Sequence, residues 1–158
     1  MENSLATQVV ARLAQRGWRI SFAESCTGGL AAARLVDVPN ASGVFEGSFV
    51  TYSENTKVRL VGVDPAAIAE YGVVSERVAR EMAAGCARAV GAEVGVGITG
   101  IAGPSGGTPE TPVGTVCFAF AVNHTVTAET MHFGALGREA VREAAVAHVF
   151  ARLAALLA

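Results

Sequence analysis

The sequence predicts an α/β layered domain built on a mixed sheet, and three observations carry that prediction. Segments with helical and strand periodicity alternate along most of the chain, which favours strands joined by helices. Two strand-like segments near the end flank Asn123-His124, residues that tolerate left-handed turns, so they pair as a hairpin. The composition is 51% hydrophobic and 16% charged over 158 residues, enough apolar material for one buried core. Neither a repeat nor a linker interrupts residues 1–158, which read as one domain.

Each element follows from local signals. Leu5, Val9, Val10 and Leu13 have helical spacing over residues 5–16, and Gly17 ends the run. Residues 18–23 read as a short strand with Trp18, Ile20 and Phe22 on one face. After the turn Ser25-Cys26-Thr27-Gly28-Gly29, residues 30–36 are Ala-rich and helical. Residues 44–52 form a strand candidate whose alternation is only partly kept. A helical turn begins at Lys57, Leu60 and Val61, and Pro65 opens the next helix at its first position. Ser75 is a strong N-cap for a helix over residues 76–90, because its hydroxyl accepts an orphan backbone N–H. Val94, Val96 and Ile98 alternate with glycine in a strand, and residues 100–114 are a Gly/Pro-rich loop. Residues 115–122 and 125–133 make the hairpin, and residues 138–157 a long terminal helix.

Composition excludes several classes. A net charge of −2 without a basic run leaves no electrostatic footprint for nucleic acid. Glu93, His148 and Arg152 break the longest apolar stretches, so no span of ~20 residues is available to cross a membrane. The chain begins Met1-Glu2-Asn3, acidic where a signal peptide is basic. Cys26, Cys86 and Cys117 are scattered and odd in number, which fits a reducing compartment, so a cytoplasmic protein is expected. One oddity remains: of twelve basic residues, Lys57 alone is lysine.

Four segments can carry chemistry. Residues 23–29, Ala-Glu-Ser-Cys-Thr-Gly-Gly, run from a strand into a small-residue turn that opens a helix. Such a turn offers backbone N–H groups and the positive helix end to a phosphate, or to an oxyanion formed when Ser25 attacks. The same residues also read as a capped helix start, with Ser25 or Thr27 as the N-cap. Cys26 is a rival nucleophile, activated by the helix end, or a small buried residue.

The second segment is Tyr52-Ser53-Glu54-Asn55-Thr56-Lys57. Lysine serves as a general base only if its surroundings lower its pKa by ~3 units, about 4 kcal/mol of altered environment. Arginine stays protonated and cannot do this. A lone lysine is also what chance allows in such a composition. No Ser-x-x-Lys pair occurs, and Tyr52 stands five residues before Lys57, not the four of short-chain dehydrogenases.

The third, residues 98–107, follows a strand and holds Gly100, Gly103, Gly106 and Gly107, bringing N–H groups close to an anion or simply making a mobile connector. Gly95-Val96-Gly97-Ile98-Thr99-Gly100 formally matches the dinucleotide fingerprint. Its glycines lie inside a strand, however, and Pro104 follows instead of a helix, so the required context fails. Finally, Arg138 and Arg142 lie four apart on one helix face, either as a phosphate clamp or solvated beside Glu139 and Glu143. His124, His132 and His148 have no partners at ligand spacing, so no metal is expected.

Taken together, residues 23–29, Tyr52-Ser53 with Lys57, Gly72-Val73-Val74-Ser75, Ile98-Thr99-Gly100-Ile101-Ala102-Gly103-Pro104 and Pro112-Val113-Gly114-Thr115-Val116 resemble the CinA C-terminal domain family. The resemblance covers roughly residues 5–155. This family includes the bacterial nicotinamide mononucleotide deamidases (PncC). The N-terminal domain of full-length CinA proteins is expected to be absent, so no pyrophosphatase role is carried over. The resemblance implies a three-layer α/β/α domain with an about five-stranded mixed sheet. It also implies a metal-independent, cofactor-free amidohydrolase that converts nicotinamide mononucleotide to nicotinate mononucleotide and ammonia. In that scheme Ser25 is the nucleophile and Lys57 the general base, while Tyr52 and Thr99 assist proton transfer or orient the substrate. Thr27, Gly28, Gly29, Gly100, Gly103 and Arg138 would hold phosphate or oxyanion. Two positions depart from the family pattern: Leu136-Gly137-Arg138 replaces the usual Gly-Asp-Arg, and Thr111 stands where lysine is common.

The alternatives are a non-catalytic nucleotide-binding or competence-associated module of the same fold, and a hydrolase of another amide. Retention of Ser25, Tyr52, Lys57 and Thr99 together favours the enzyme. A mean hydropathy of +0.42 in so small a chain points to a buried subunit interface, hence a homodimer or larger assembly.

Overall fold

The computed structural model describes residues 2–158, with side chains from Leu5 onward. Helix α1 (Glu2–Arg16) leads into β1 (Ile20–Glu24), α2 (Leu30–Val36), a 3₁₀ turn (Ala41–Gly43) and the short β2 (Phe49–Val50). Next come α3 (Glu54–Val61), α4 (Pro65–Tyr71), α5 (Glu76–Val90) and β3 (Val94–Gly100). The hairpin β4 (Thr115–Val122) and β5 (Thr125–His132) and the helix α6 (Arg138–Leu156) complete the chain. The five strands form one mixed sheet in the order β2-β1-β3-β4-β5. β2, β1 and β3 run parallel, whereas β4 pairs antiparallel with β3 and β5 antiparallel with β4.

Helices cover both faces, and side-chain size divides them. Phe22, Val96, Ile98, Phe118 and Phe120 point to the layer of α1, α2 and α6, where Leu13, Leu35, Phe150 and Leu153 complete the larger core. The opposite strand faces carry Ala23, Cys117, Ala119 and Ala121, which pack under α5 through Ala79, Met82, Ala83 and Cys86. The alternating glycines of β3 belong to this second face. A Cβ on Gly95 would lie 2.1 Å from the Ala83 carbonyl oxygen, and one on Gly97 2.3 Å from that of Ala79. Those glycines admit the backbone of α5, which gives them a packing role in place of a nucleotide turn.

The expected hairpin turn forms with positive φ at both Asn123 and His124. Pro65 stands at the start of α4 behind the Asp64 cap, and Ser75 Oγ accepts the Val78 N–H at 3.2 Å at the head of α5. Ser75→Ala is expected to cost about 1 kcal/mol, measurable by chemical denaturation.

Three expectations are corrected. β1 begins at Ile20 and not at residue 18, because the Trp18 N–H is spent on the Leu13 carbonyl (3.0 Å), closing the end of α1. The strand expected over residues 44–52 shrinks to Phe49–Val50 plus an isolated bridge at Phe45. Between them the Phe22 N–H donates to Ser48 Oγ (3.3 Å), a side chain standing in for the ladder carbonyl. The N-cap of α2 is neither Ser25 nor Thr27: Gly29 occupies it, at φ 102 and without a side-chain hydrogen bond.

Candidate active site

A cavity of about 670 Å³ opens where the three parallel strands end. This is the position where open α/β sheets bind ligands. The residue after β1, Ser25, forms one wall; the segment beyond β2, Tyr52 to Asn55, forms another; and Thr99 and Gly100 close β3 onto the glycine loop. Residues far apart in sequence meet here because strand order, not chain order, sets their neighbours.

At the base of the cavity Lys57 Nζ donates to Ser25 Oγ at 3.0 Å and to the Thr51 carbonyl at 2.7 Å. Lys57 is 1% exposed and Ser25 8%. The capping box of Ser53 and Thr56 starts α3 and turns Lys57, one residue later, inward. Burial, the dominant effect, pushes the Lys57 ammonium down from its ordinary value to about 8, although the nearby carboxylate of Glu54 favours the charged form. Cys26 lies beside this pair, but burial, the largest effect on it, pushes its thiol up to about 11. That rules against an activated thiolate there and fits the reading of Cys26 as a small buried residue.

Thr99 Oγ1 donates to the Val73 carbonyl at 3.0 Å, which ties the end of β3 to the segment before α5. Gly103 has φ 82, and a Cβ there would lie 2.4 Å from Val113 Cγ1, so the loop wall requires glycine. At the rim, Arg138 donates to the Gly103 carbonyl (2.8 Å) and to the Tyr52 hydroxyl (2.7 Å), bridging opposite walls. Tyr52 itself is 58% exposed and lies at the mouth beside Arg138.

The structure thus brings Ser25, Tyr52, Lys57, Thr99, Gly100, Gly103 and Arg138 to one cavity. Thr27, Gly28 and Gly29 are not among its lining residues. The expected anion site at the start of α2 is also filled from within. Glu24 accepts the Ala31 and Ala32 N–H groups at 2.9 and 3.0 Å, and the Leu30 N–H donates to the Thr27 carbonyl. The two arginines of α6 part company as well. Arg142 donates to the carbonyls of Cys26 (3.0 Å) and Thr27 (2.9 Å), so it braces the turn and joins neither a clamp with Arg138 nor a solvated face.

Sequence reasoning missed Glu24 and Thr51. Glu24 caps a helix from seven and eight residues away, outside any local capping pattern, and Thr51 contributes through its carbonyl, which no side-chain pattern announces. Among the described residues, no group of three or more His, Cys, Asp or Glu side chains could hold a metal ion, and no helix is long and apolar enough to cross a membrane.

Fold and site together define a three-layer α/β/α domain with a buried serine–lysine pair at the ends of its parallel strands. Its relatives give that class a family. The model of the CinA C-terminal domain matches residues 2–157, and the chain belongs to that family. A putative competence-damage inducible protein of Symbiobacterium thermophilum is 46% identical over 159 residues, covering 95% of this chain and 37% of that protein. A CinA-like protein of Chlorobaculum tepidum is 57% identical over 120 residues, 76% of this chain and 28% of that one. The chain therefore spans well under half the length of these curated relatives. Among solved structures, competence/damage inducible protein CihA from Agrobacterium tumefaciens superposes with a TM-score of 0.94 at 38% identity, covering 98% of this chain and 94% of that one. A CinA superfamily protein from Escherichia coli also gives 0.94, at 35% identity over 99% and 90% of the two chains.

Proposed function

We propose that the chain hydrolyses the carboxamide of nicotinamide mononucleotide, releasing ammonia and nicotinate mononucleotide, with Ser25 as nucleophile and Lys57 as general base. The observation that carries this reading is the buried 3.0 Å contact between Lys57 Nζ and Ser25 Oγ. With the amine neutral, the same contact lets the serine hydroxyl donate to Nζ. Ser25 Oγ then bonds to the carboxamide carbon while its proton passes to Lys57. Collapse of the adduct breaks the C–N bond, and Lys57 returns the proton to the departing ammonia. Water, deprotonated by the same amine, cleaves the acyl ester and restores Ser25. Every proton is accounted for by serine, lysine and water, so the scheme calls on no cofactor.

The cavity volume suits a mononucleotide. Arg138 carries a guanidinium that can exchange its protein partners, the Tyr52 hydroxyl and the Gly103 carbonyl, for a phosphate. Thr99 fixes that wall to the Val73 segment.

The test is ammonia release from nicotinamide mononucleotide. Wild type is expected to be active, Ser25→Ala to lose at least ~10³-fold in kcat, and Cys26→Ser to stay within a few-fold. An inactive wild type would favour a non-catalytic nucleotide-binding module, and loss confined to Cys26→Ser would hand the reaction to the thiol.

A further inference from the structure

β1 ends on a glutamate folded under the turn that it begins. Glu24 is 0% exposed, and both of its oxygens are spent on the first turn of α2: Oε1 accepts the Ala31 N–H at 2.9 Å and Oε2 the Ala32 N–H at 3.0 Å. Burying a carboxylate is costly unless donors and dipoles compensate it, and the head of α2 supplies both. An ordinary cap would need less. Position 29 cannot supply one: it is glycine at φ 102, outside the extended backbone that a serine or asparagine cap needs, and it carries no side-chain cap. The fold instead places a buried carboxylate on the residue before Ser25.

Glu24 is also tied on its backbone side. Its carbonyl accepts the Thr51 N–H at 2.8 Å, and the carbonyl of that same Thr51 holds Lys57 Nζ at 2.7 Å. The neighbouring Ser25 N–H donates to the Ile98 carbonyl at 2.9 Å, and Arg142 holds the carbonyls of the next two residues. Ser25 thus sits in a turn fastened at every side, with Glu24 joining α2, the β2 exit and the nucleophile.

We propose that Glu24 is a positioning residue for the nucleophile: its carboxylate ties α2 back to the end of β1 and thereby directs Ser25 Oγ at Lys57 Nζ. This rests on the reading of Ser25 as nucleophile but not on the identity of the amide. Glu24→Gln keeps the length of the side chain but sets an NH₂ group against one of the two N–H donors. Glu24→Asp keeps the charge but is too short to reach both amides.

Two readouts test the proposal in the full chain: the rate of Ser25 labelling by a fluorophosphonate, and kcat and KM for nicotinamide mononucleotide. In Glu24→Gln, labelling and kcat are expected to fall together by about 30- to 100-fold with KM within about twofold, the pattern of a misaimed nucleophile. Glu24→Asp is expected to lose about tenfold. The pH midpoint of labelling, set by Lys57, stays near 8 in both. Asp64→Ala removes the cap of α4 outside the cavity and serves as the control that lowers stability alone. Labelling of folded Glu24→Gln, or of Glu24→Asp should the first not fold, within about threefold of wild type overturns the inference, as does a loss no larger than that of Asp64→Ala. If wild type is labelled at Ser25 yet releases no ammonia, the amide assignment fails while the positioning role stands. If wild-type Ser25 is not labelled at all, both fail.

Discussion

Lys57→Arg is expected to abolish ammonia release, with kcat falling by about 10³-fold or more, although it keeps the positive charge. The reason is proton affinity. Burial lowers the lysine to about 8, so a useful fraction is neutral near neutrality, whereas a guanidinium stays protonated and has no lone pair to offer Ser25. For wild type, kcat/KM should rise with pH through about 8 and level off above it, because the reactive form is the deprotonated amine. A rate independent of pH between 6.5 and 9.5 would remove Lys57 from the base role.

The same shift makes Lys57 a stability cost. Its folded pKa lies below the unfolded one, so between about 8 and 10.5 the unfolded chain binds the extra proton and stability climbs with pH. Below about 8 the deficit is fully present, roughly 3 kcal/mol for a shift of this size. Lys57→Met removes it but leaves the Thr51 carbonyl without its buried donor, worth about 1–3 kcal/mol in the other direction. The variant is therefore expected to be inactive and about 1 kcal/mol more stable than wild type at pH 7, and about 1 kcal/mol less stable at pH 10, where part of the lysine deficit persists. Urea denaturation at the two pH values checks the crossing. If the order is the same at both, Lys57 is not desolvated in the folded protein.

What was legible beforehand divides along physical lines. Features fixed by local stereochemistry could be read: the Ser75 cap of α5, Pro65 at the head of α4, the Asn123-His124 turn and the periodicity of α1. The serine and the lysine could be singled out as residue types, and the family resemblance joined them into one site. Features decided by partners distant in sequence could not be read. The start of β1 depends on the Trp18 N–H being used by α1, and the truncation of β2 on Ser48 replacing a carbonyl. The i, i+4 spacing puts Arg142 on a helix face beside Arg138, but its actual partners are carbonyls more than a hundred residues away. The start of α2 looked like an open anion site because its filler, Glu24, follows no capping spacing.

Gly85→Ala carries the largest expected effect on stability, and local propensity predicts the wrong sign for it. Gly85 lies inside α5, where alanine is favoured over glycine by about 1 kcal/mol, so the substitution should help an isolated helix. In the folded chain a Cβ at this position would sit 1.8 Å from the Val61 carbonyl oxygen and 2.9 Å from its carbonyl carbon. Backbone atoms cannot rotate aside, so α3 and α5 must separate. The expected loss is about 3 kcal/mol or more, read as a lower denaturation midpoint. Gly43→Ala is the control: a Cβ there meets nothing within 4 Å, and its effect should stay within about 0.5 kcal/mol. Val61 ends the helix that carries Lys57, and the Lys57 carbonyl accepts the Val63 N–H at 3.1 Å, so the displaced segment is the mount of Lys57. Any folded Gly85→Ala protein should then show a reduced kcat as well, because moving α3 lengthens the 3.0 Å contact on which the proposed proton transfer depends. A folded variant with a raised midpoint and unchanged kcat would mean that α3 is not held against α5 at Gly85. A glycine that reads as a weak point in a helix would thus be what lets α5 come close enough to hold Lys57 under Ser25.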